Sequence, residues 1–277
     1  MEKIPAIDHL RGLLERQLAR IESSEPGVRD GTEERDLHRF RVATRRSRAL
    51  IRASRKVLDG QLARVDAELR WLGGVSGPVR DLDVLIAHLR DVVEGLEPDR
   101  AGGETILAAV EEERAWAREV LLEALDSERY RSLLAIFRAA LARLTVVDAD
   151  VSLSKLAKKE FKRLRKAYTA LDPDSPDDEL HALRIKAKRV RYAAELAALA
   201  KGEPFASLAE AATEVQDLIG AHQDAVVAEK RVRALAPRES LVAAGRIVEH
   251  ERRRRAEARS KLPDVWTRVE DAAEKAF

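Results

Sequence analysis

Two stretches of this chain can be laid over one another without a gap. "HRFRVATRRSR" begins at residue 38 and "HALRIKAKRVR" at residue 181. His38 falls on His181, Arg41 on Arg184, Val42 on Ile185, Arg45 on Lys188, Arg46 on Arg189 and Arg48 on Arg191. The offset is 143 residues, and a distant pair of segments obeys it too: Gly77 falls on Gly220, Asp81 on Asp224 and Val84 on Val227. Separate stretches agreeing on one offset point to an internal duplication. The chain is expected to form two homologous units, residues 1–147 and 151–277, with the junction near 147–151.

Each unit is expected to be helical. Ile7, Leu10, Leu14, Leu18 and Ile21 recur at helical spacing and mark a first amphipathic helix, ended by "SSEPG". Thr32 reads as an N-cap, with Glu33 and Glu34 in the first turn of the helix that follows. Further helices are expected at 61–72, 78–95, 104–125 and 128–146, broken by "GGVSGP", "EPDRAGG" and "DS". A connector, "TVVDADVSL", leads to helices near 153–170, 178–200, 204–219, 222–235, 238–260 and 263–276. No stretch alternates with period two for long enough to make a sheet. The expected fold class is all-α, two antiparallel helical bundles. With no Cys, thiolate chemistry and disulfides are excluded. No apolar run approaches the ~20 residues of a membrane span, so a soluble, cytoplasmic protein without membrane contact is expected.

Net charge is only +2, so the basic character is local. His38, Arg41, Arg45, Arg48, Arg52 and Arg55 step by 3 and 4 and share one side of a helix. In the second half the row is His181, Arg184, Lys188, Arg191, ending at Glu195. Solvated helix faces normally mix signs, because opposite charges at these spacings stabilise and like charges repel. Both rows lack acids in a chain that is 36% charged. The second is flanked by Ile185 and Leu196 on one side and Leu183 and Val190 on the other, as a crevice or pore lining would be. A third basic run, "KLAKKEFKRLRKAY", places Lys155, Lys158, Lys162 and Arg165 beside an apolar face of Leu153, Ala157, Phe161, Leu164 and Tyr168.

These rows point to an anion. The stripe from His38 to Arg55 extends about 25 Å at 1.5 Å per residue, far more than a single phosphate needs. A long, linear, repeating anion matches it. Readers of nucleic acid add base contacts or aromatic stacking, and no aromatic is interleaved through the first row after Phe40. Nucleic acid is therefore the poorer fit, and a bare polyphosphate backbone the better one.

"HRFRVATRRSRALI" and "HALRIKAKRVRYAAEL", each followed downstream by a G-x-x-x-D-x-x-V segment ("GPVRDLDV", "GAHQDAVV"), resemble the CHAD family, the conserved histidine α-helical domain. The resemblance covers essentially the whole chain. It implies two four-helix-bundle-like halves around a basic central groove. It also implies binding of inorganic polyphosphate, with recruitment to polyphosphate granules. By position the family's basic residues fall on His38, Arg41, Arg45, Arg46, Arg48, His181, Arg184, Lys188, Arg189 and Arg191. Arg46 and Arg189 lie about 100° round the helix from the main row, and pairing with Asp81 and Asp224 is the alternative for them.

Other readings are weaker. His38 and His181 have Arg neighbours, whereas metal ligands converge with other His or carboxylates, so phosphate donation or capping fits them better and no metal is expected. "GGVSG" at 73–77 lacks the Gly-Lys-Ser/Thr of a phosphate loop and reads as an interhelical turn. Glu111, Glu112 and Glu113 read as a solvated face, and "ERRRRAEAR" at 251–259 as either a second anion patch or a solvated helix end. The E-x-E-x-K strand of the triphosphatase domain that sometimes accompanies CHAD-like domains is absent. A non-catalytic binding module without cofactor is the expectation, with a nucleic-acid binder or a phosphohydrolase as the alternatives.

Overall fold

In the computed structural model, residues 6–31, 34–55, 58, 60–145, 153–172 and 174–277 are described. The expected N-cap Thr32, its neighbour Glu33 and the junction at 147–151 lie outside these. Among the described residues the helices are α1 (Ala6–Asp30), α2 (Glu34–Ala53), α3 (Ala63–Glu94), α4 (Arg100–Asp126), α5 (Glu128–Ala142), α6 (Leu153–Tyr168), α7 (Asp177–Lys201), α8 (Glu203–Leu235) and α9 (Leu241–Ala276). They contain no strand. Two compact units result, Met1–Arg90 with Leu107–Val151, and Asp91–Ile106 with Ser152–Phe277. The tip of the α3–α4 hairpin, residues 91–106, therefore groups with the second half of the chain.

Four expected breaks are not breaks. α1 runs on through Pro26 to Asp30. Its end is at Gly31, whose φ of +75° only glycine adopts cheaply and whose N–H closes on the Gly27 carbonyl at 2.8 Å. Tertiary contacts hold the stretch beyond Pro26. Glu25 accepts hydrogen bonds from Arg29 Nε and the Tyr130 hydroxyl, both at 2.8 Å, and Arg118 donates to the Arg29 carbonyl at 2.7 Å. α3 likewise passes through "GGVSGP", α8 through Gly220 and α9 through Pro263. A glycine or proline lowers local helix preference by ~1–3 kcal/mol. Burial of the flanking side chains, Leu72 and Val79 in α3 or Leu262 and Val265 in α9, outweighs that.

In the first unit α1 packs on α2 and α5, burying Leu14, Leu18 and Ile21 from α1, Phe40 and Ile51 from α2, and Leu133 and Phe137 from α5. The Phe40 and Tyr130 rings meet at 6.5 Å. In the second unit Phe161 of α6, Leu183, Ala187 and Val190 of α7, Val215 and Ile219 of α8, and Trp266 and Val269 of α9 share one core. Trp266 stacks on Tyr168 at 4.0 Å. The hairpin tip is fastened to α9 by Arg246, which donates to the Leu96 and Glu97 carbonyls and to Asp99.

Two glycines separate helix preference from packing. A Cβ at Gly74, exposed in mid-α3, would meet nothing within 4 Å. At Gly103 it would lie 2.9 Å from Val93 Cγ2 and 3.0 Å from Leu96 Cδ1. Gly74→Ala is expected to raise stability by roughly 0.5–1 kcal/mol and Gly103→Ala to lower it, measured by urea denaturation. A loss at Gly74 would mean that the chain bends there after all.

Candidate functional site

α2 and α7 begin 143 residues apart, at Glu34 and Asp177, and carry the two basic rows at matching positions along their lengths. Acidic first turns, Glu34 and Asp36 in one and Asp177, Asp178 and Glu179 in the other, favour both helix starts through the dipole. The apolar side of α2, with Leu37, Phe40, Ala43 and Ile51, is buried and turns the cations outward. His38, Arg45, Arg46, Arg52 and Arg55 are exposed, whereas Arg41 and Arg48 are half-buried. His38 and His181 each sit a full turn inside their helices, and α7 has no side-chain cap, so capping is not the role of His181. Neither histidine belongs to a cluster of three potential metal ligands among the described residues.

The row is acid-free within α2, but α3 brings acids to it. Asp66 accepts from Arg48 Nε at 3.0 Å and from Arg52 Nε at 3.1 Å. Asp81, the alternative partner of Arg46, instead approaches Arg41 at 3.5 Å, and Arg46 has no partner among the described residues. Arg41 also donates to the Gly73 carbonyl at 3.3 Å, passing so close to Gly77 that a Cβ there would lie 3.1 Å from its Nη1. The glycine of the G-x-x-x-D segment is thus the opening through which the arginine reaches the α3 backbone. The same contact recurs in the second unit: Arg184 Nε donates to the Gln216 carbonyl at 3.3 Å, beside Gly220.

His38, Arg41 and Arg45 are close enough to act on each other, and α3 adds Arg80, itself bonded to Glu34 at 3.2 Å. Sequence reading missed Arg80. No pattern along the chain marks it, because its part depends on α3 lying beside α2. Burial first, and then the charges of Arg80, Arg45 and Arg41, hold the His38 imidazole below its ordinary value. Burial also pulls the Arg41 guanidinium down, Asp81 opposing and Arg45 and Arg80 adding to it, though an arginine keeps its proton throughout. His38 is neutral at pH 7 and offers one ring N–H.

In α7 His181, Arg184, Lys188 and Arg191 are all half-buried, so this row lies deeper than the first, while Arg189 is exposed. Leu183, Val190 and Leu196 beside it are buried, but Ile185 is exposed. Lys155, Lys158, Lys162 and Arg165 lie on the exposed face of α6. Lys158 stands over the Phe277 ring at 5.5 Å and Arg165 over Phe161 at 5.8 Å.

Two acid- or base-rich segments are neutralised by packing. In α9, Arg255 and Arg259 bind Asp177 at 2.6 and 2.9 Å, Arg255 also binds Glu229 at 3.0 Å, and Arg254 binds the buried Glu251 at 2.7 Å. Burial would raise the Asp177 carboxyl, but the hydrogen bonds from Arg259 and Arg255 hold it below the ordinary range. The run at 251–259 is therefore neither an open anion patch nor a helix end. In α4, Arg114 donates to Asp83, which is 4% exposed, so "EEERAWARE" carries a structural ion pair.

Chemistry in this all-helical protein is concentrated in cation rows on two helices of like position, one in each unit. The chain belongs to the CHAD domain family, whose sequence pattern matches residues 12–233. It resembles the solved structure of PptA from Streptomyces chartreusis, at 21% identity and a TM-score of 0.75, with 95% of this chain and 100% of that one covered. It also resembles the crystal structure of the CHAD domain from the plant Ricinus communis, at 24% identity and a TM-score of 0.77, covering 96% and 92%. At these identities the likeness shows the fold. Two uncharacterized proteins from Mycobacterium tuberculosis strains are 30% identical over 208 residues, 71% of this chain and 39% of theirs. The match spans about two-fifths of the length of those relatives.

The crowding around His38 has a measurable sign. In an NMR titration of the free protein His38 is expected to titrate below about 6.5, and Arg80→Gln to move it upward. Because the folded value lies below the unfolded one, protonation of His38 works against folding as pH falls through that window. An anion bound beside the ring reverses this shift, so its affinity should rise as pH falls. An unshifted His38 that ignores Arg80→Gln would disprove the crowding.

Proposed function

We propose that this protein binds inorganic polyphosphate and does not turn it over, using the rows on α2 and α7, with the basic face of α6 as an accessory surface. The observation that carries the reading is the pair of cation rows aligned along helices, at a spacing that suits an extended chain of charges. Arg45 and Arg46 point to solvent without a partner, available to a polyanion. Membership of the CHAD domain family supports the same ligand. Against nucleic acid stands the scarcity of exposed aromatics on the α2 and α7 rows. Among the described residues the large exposed aromatics are Trp116 of α4 and Phe277, which lies beside Lys158 of α6, and Tyr192 of α7 is half-buried with Arg191 over its ring. The same affinity would carry the protein to polyphosphate granules. Among the described residues no helix is long and apolar enough to cross a membrane.

Titration with long-chain polyphosphate and with duplex DNA, at matched phosphate over a salt series, tests the ligand. Polyphosphate should bind more tightly at every salt concentration, with log K falling linearly in log salt. Arg45→Glu is expected to weaken it by about tenfold or more at low salt and to lower the salt slope by about 1. Arg131→Glu makes the same charge change on α5, where Arg131 is exposed, pairs with Glu128 and donates to the Asp126 carbonyl at the end of α4, away from both rows, and should have little effect. Stronger DNA binding would favour the nucleic-acid reading, and equal losses in both variants would mean diffuse attraction.

Turnover is checked separately. Polyphosphate or triphosphate incubated with the protein and Mg²⁺ or Mn²⁺ is expected to release no phosphate above background. Release that scales with protein and vanishes in Arg41→Gln would replace binding by phosphohydrolysis.

A further inference from the structure

The two rows differ at their C-terminal ends. In α2 Arg48 is held by Asp66, and the next residue is Ala49. At the corresponding places α7 has Arg191 and Tyr192, and the position that matches Asp66 is Ala209. Arg191 is 11% exposed and lies over the Tyr192 ring at 4.4 Å. Its Nε approaches Glu195 at 3.4 Å without making a hydrogen bond, and the solvent-shielded Tyr192 hydroxyl makes none either. His181 Nδ1 is a third shielded polar atom without a partner. At 100° per residue Tyr192 lies about 20° from His181 and about 40° from Lys188, on the row itself. Buried donors are almost always satisfied, and unsatisfied ones on two neighbouring residues of one row call for an acceptor.

We propose that the Tyr192 hydroxyl and Arg191 Nε form a donor pair for one phosphate group of the bound chain, a subsite at the C-terminal end of the α7 row that the α2 row lacks. This inference rests on the polyphosphate reading. A phosphate group presents several acceptor oxygens and can satisfy both donors together. The α7 row then reads phosphate by hydrogen-bond geometry, whereas the exposed α2 row attracts it by charge.

Tyr192→Phe removes the hydroxyl and keeps the ring under Arg191. Without ligand its melting temperature should equal or slightly exceed that of the wild type, because the deleted group has no partner to lose. Polyphosphate affinity should fall by about tenfold with an unchanged salt slope, since a neutral donor releases no counterion. Arg191→Lys, which keeps the charge and removes Nε, should lower affinity with the slope likewise unchanged. A clearly lower melting temperature for unligated Tyr192→Phe would assign the hydroxyl a structural partner and overturn the subsite. So would wild-type affinity in both variants while the wild type binds. If the wild type itself fails to bind polyphosphate, the functional reading falls first and the subsite with it.

Discussion

A helix that stacks like charges along one side persists only because its other side is buried. In α2 the cations repel by a few tenths of a kcal/mol per neighbouring pair. Burial of the Phe40 and Ile51 side chains contributes about 1.5–3 kcal/mol each. The second effect wins, and tertiary packing holds the row in an arrangement that an isolated peptide would resist. In α7 Leu183, Ala187 and Val190 play the same part. The orientation of every basic residue discussed above follows from which side of its helix the core claims.

The next layer is selective neutralisation. Asp66 holds Arg48 and Arg52, Asp81 approaches Arg41, and Arg45 and Arg46 are left open to solvent. In α9 packing takes the opposite course, and Asp177, Glu229 and Glu251 absorb Arg254, Arg255 and Arg259. Runs of similar composition thus end as an open cation row in one place and as internal ion pairs in another. His222 shows how tightly the second kind is packed. It is 1% exposed between Asp177 and Arg259, and burial holds it below its ordinary value despite the carboxylate.

Much of the candidate site was legible because it is periodic. His38 to Arg55 and His181 to Arg191 announce their shared faces by 3- and 4-residue steps, and the 143-residue offset pairs them. The contacts of Arg41 with Gly73 and of Arg184 with Gln216 recur at that same offset. Arg80, Asp66 and the arrest of Arg114 on Asp83 were not legible, because each depends on which helix lies alongside. The breaks expected at Pro26, Gly77, Gly220 and Pro263 failed for a related reason. Local preference weighs about 1–3 kcal/mol at such residues, and a buried flank outweighs it.

The sequence by itself determined the helical class and the repetition of the cation rows, since periodicity and charge pattern are properties of neighbours along the chain. Only the tertiary structure decided where helices end, which cations stay uncompensated, and that the hydroxyl of Tyr192 and the Nε of Arg191 are both shielded with neither hydrogen-bonded. Burial and partnership are set by residues far away in sequence. A helix row can be read from its spacing, but its free charge is known only once the neighbouring helices are in place.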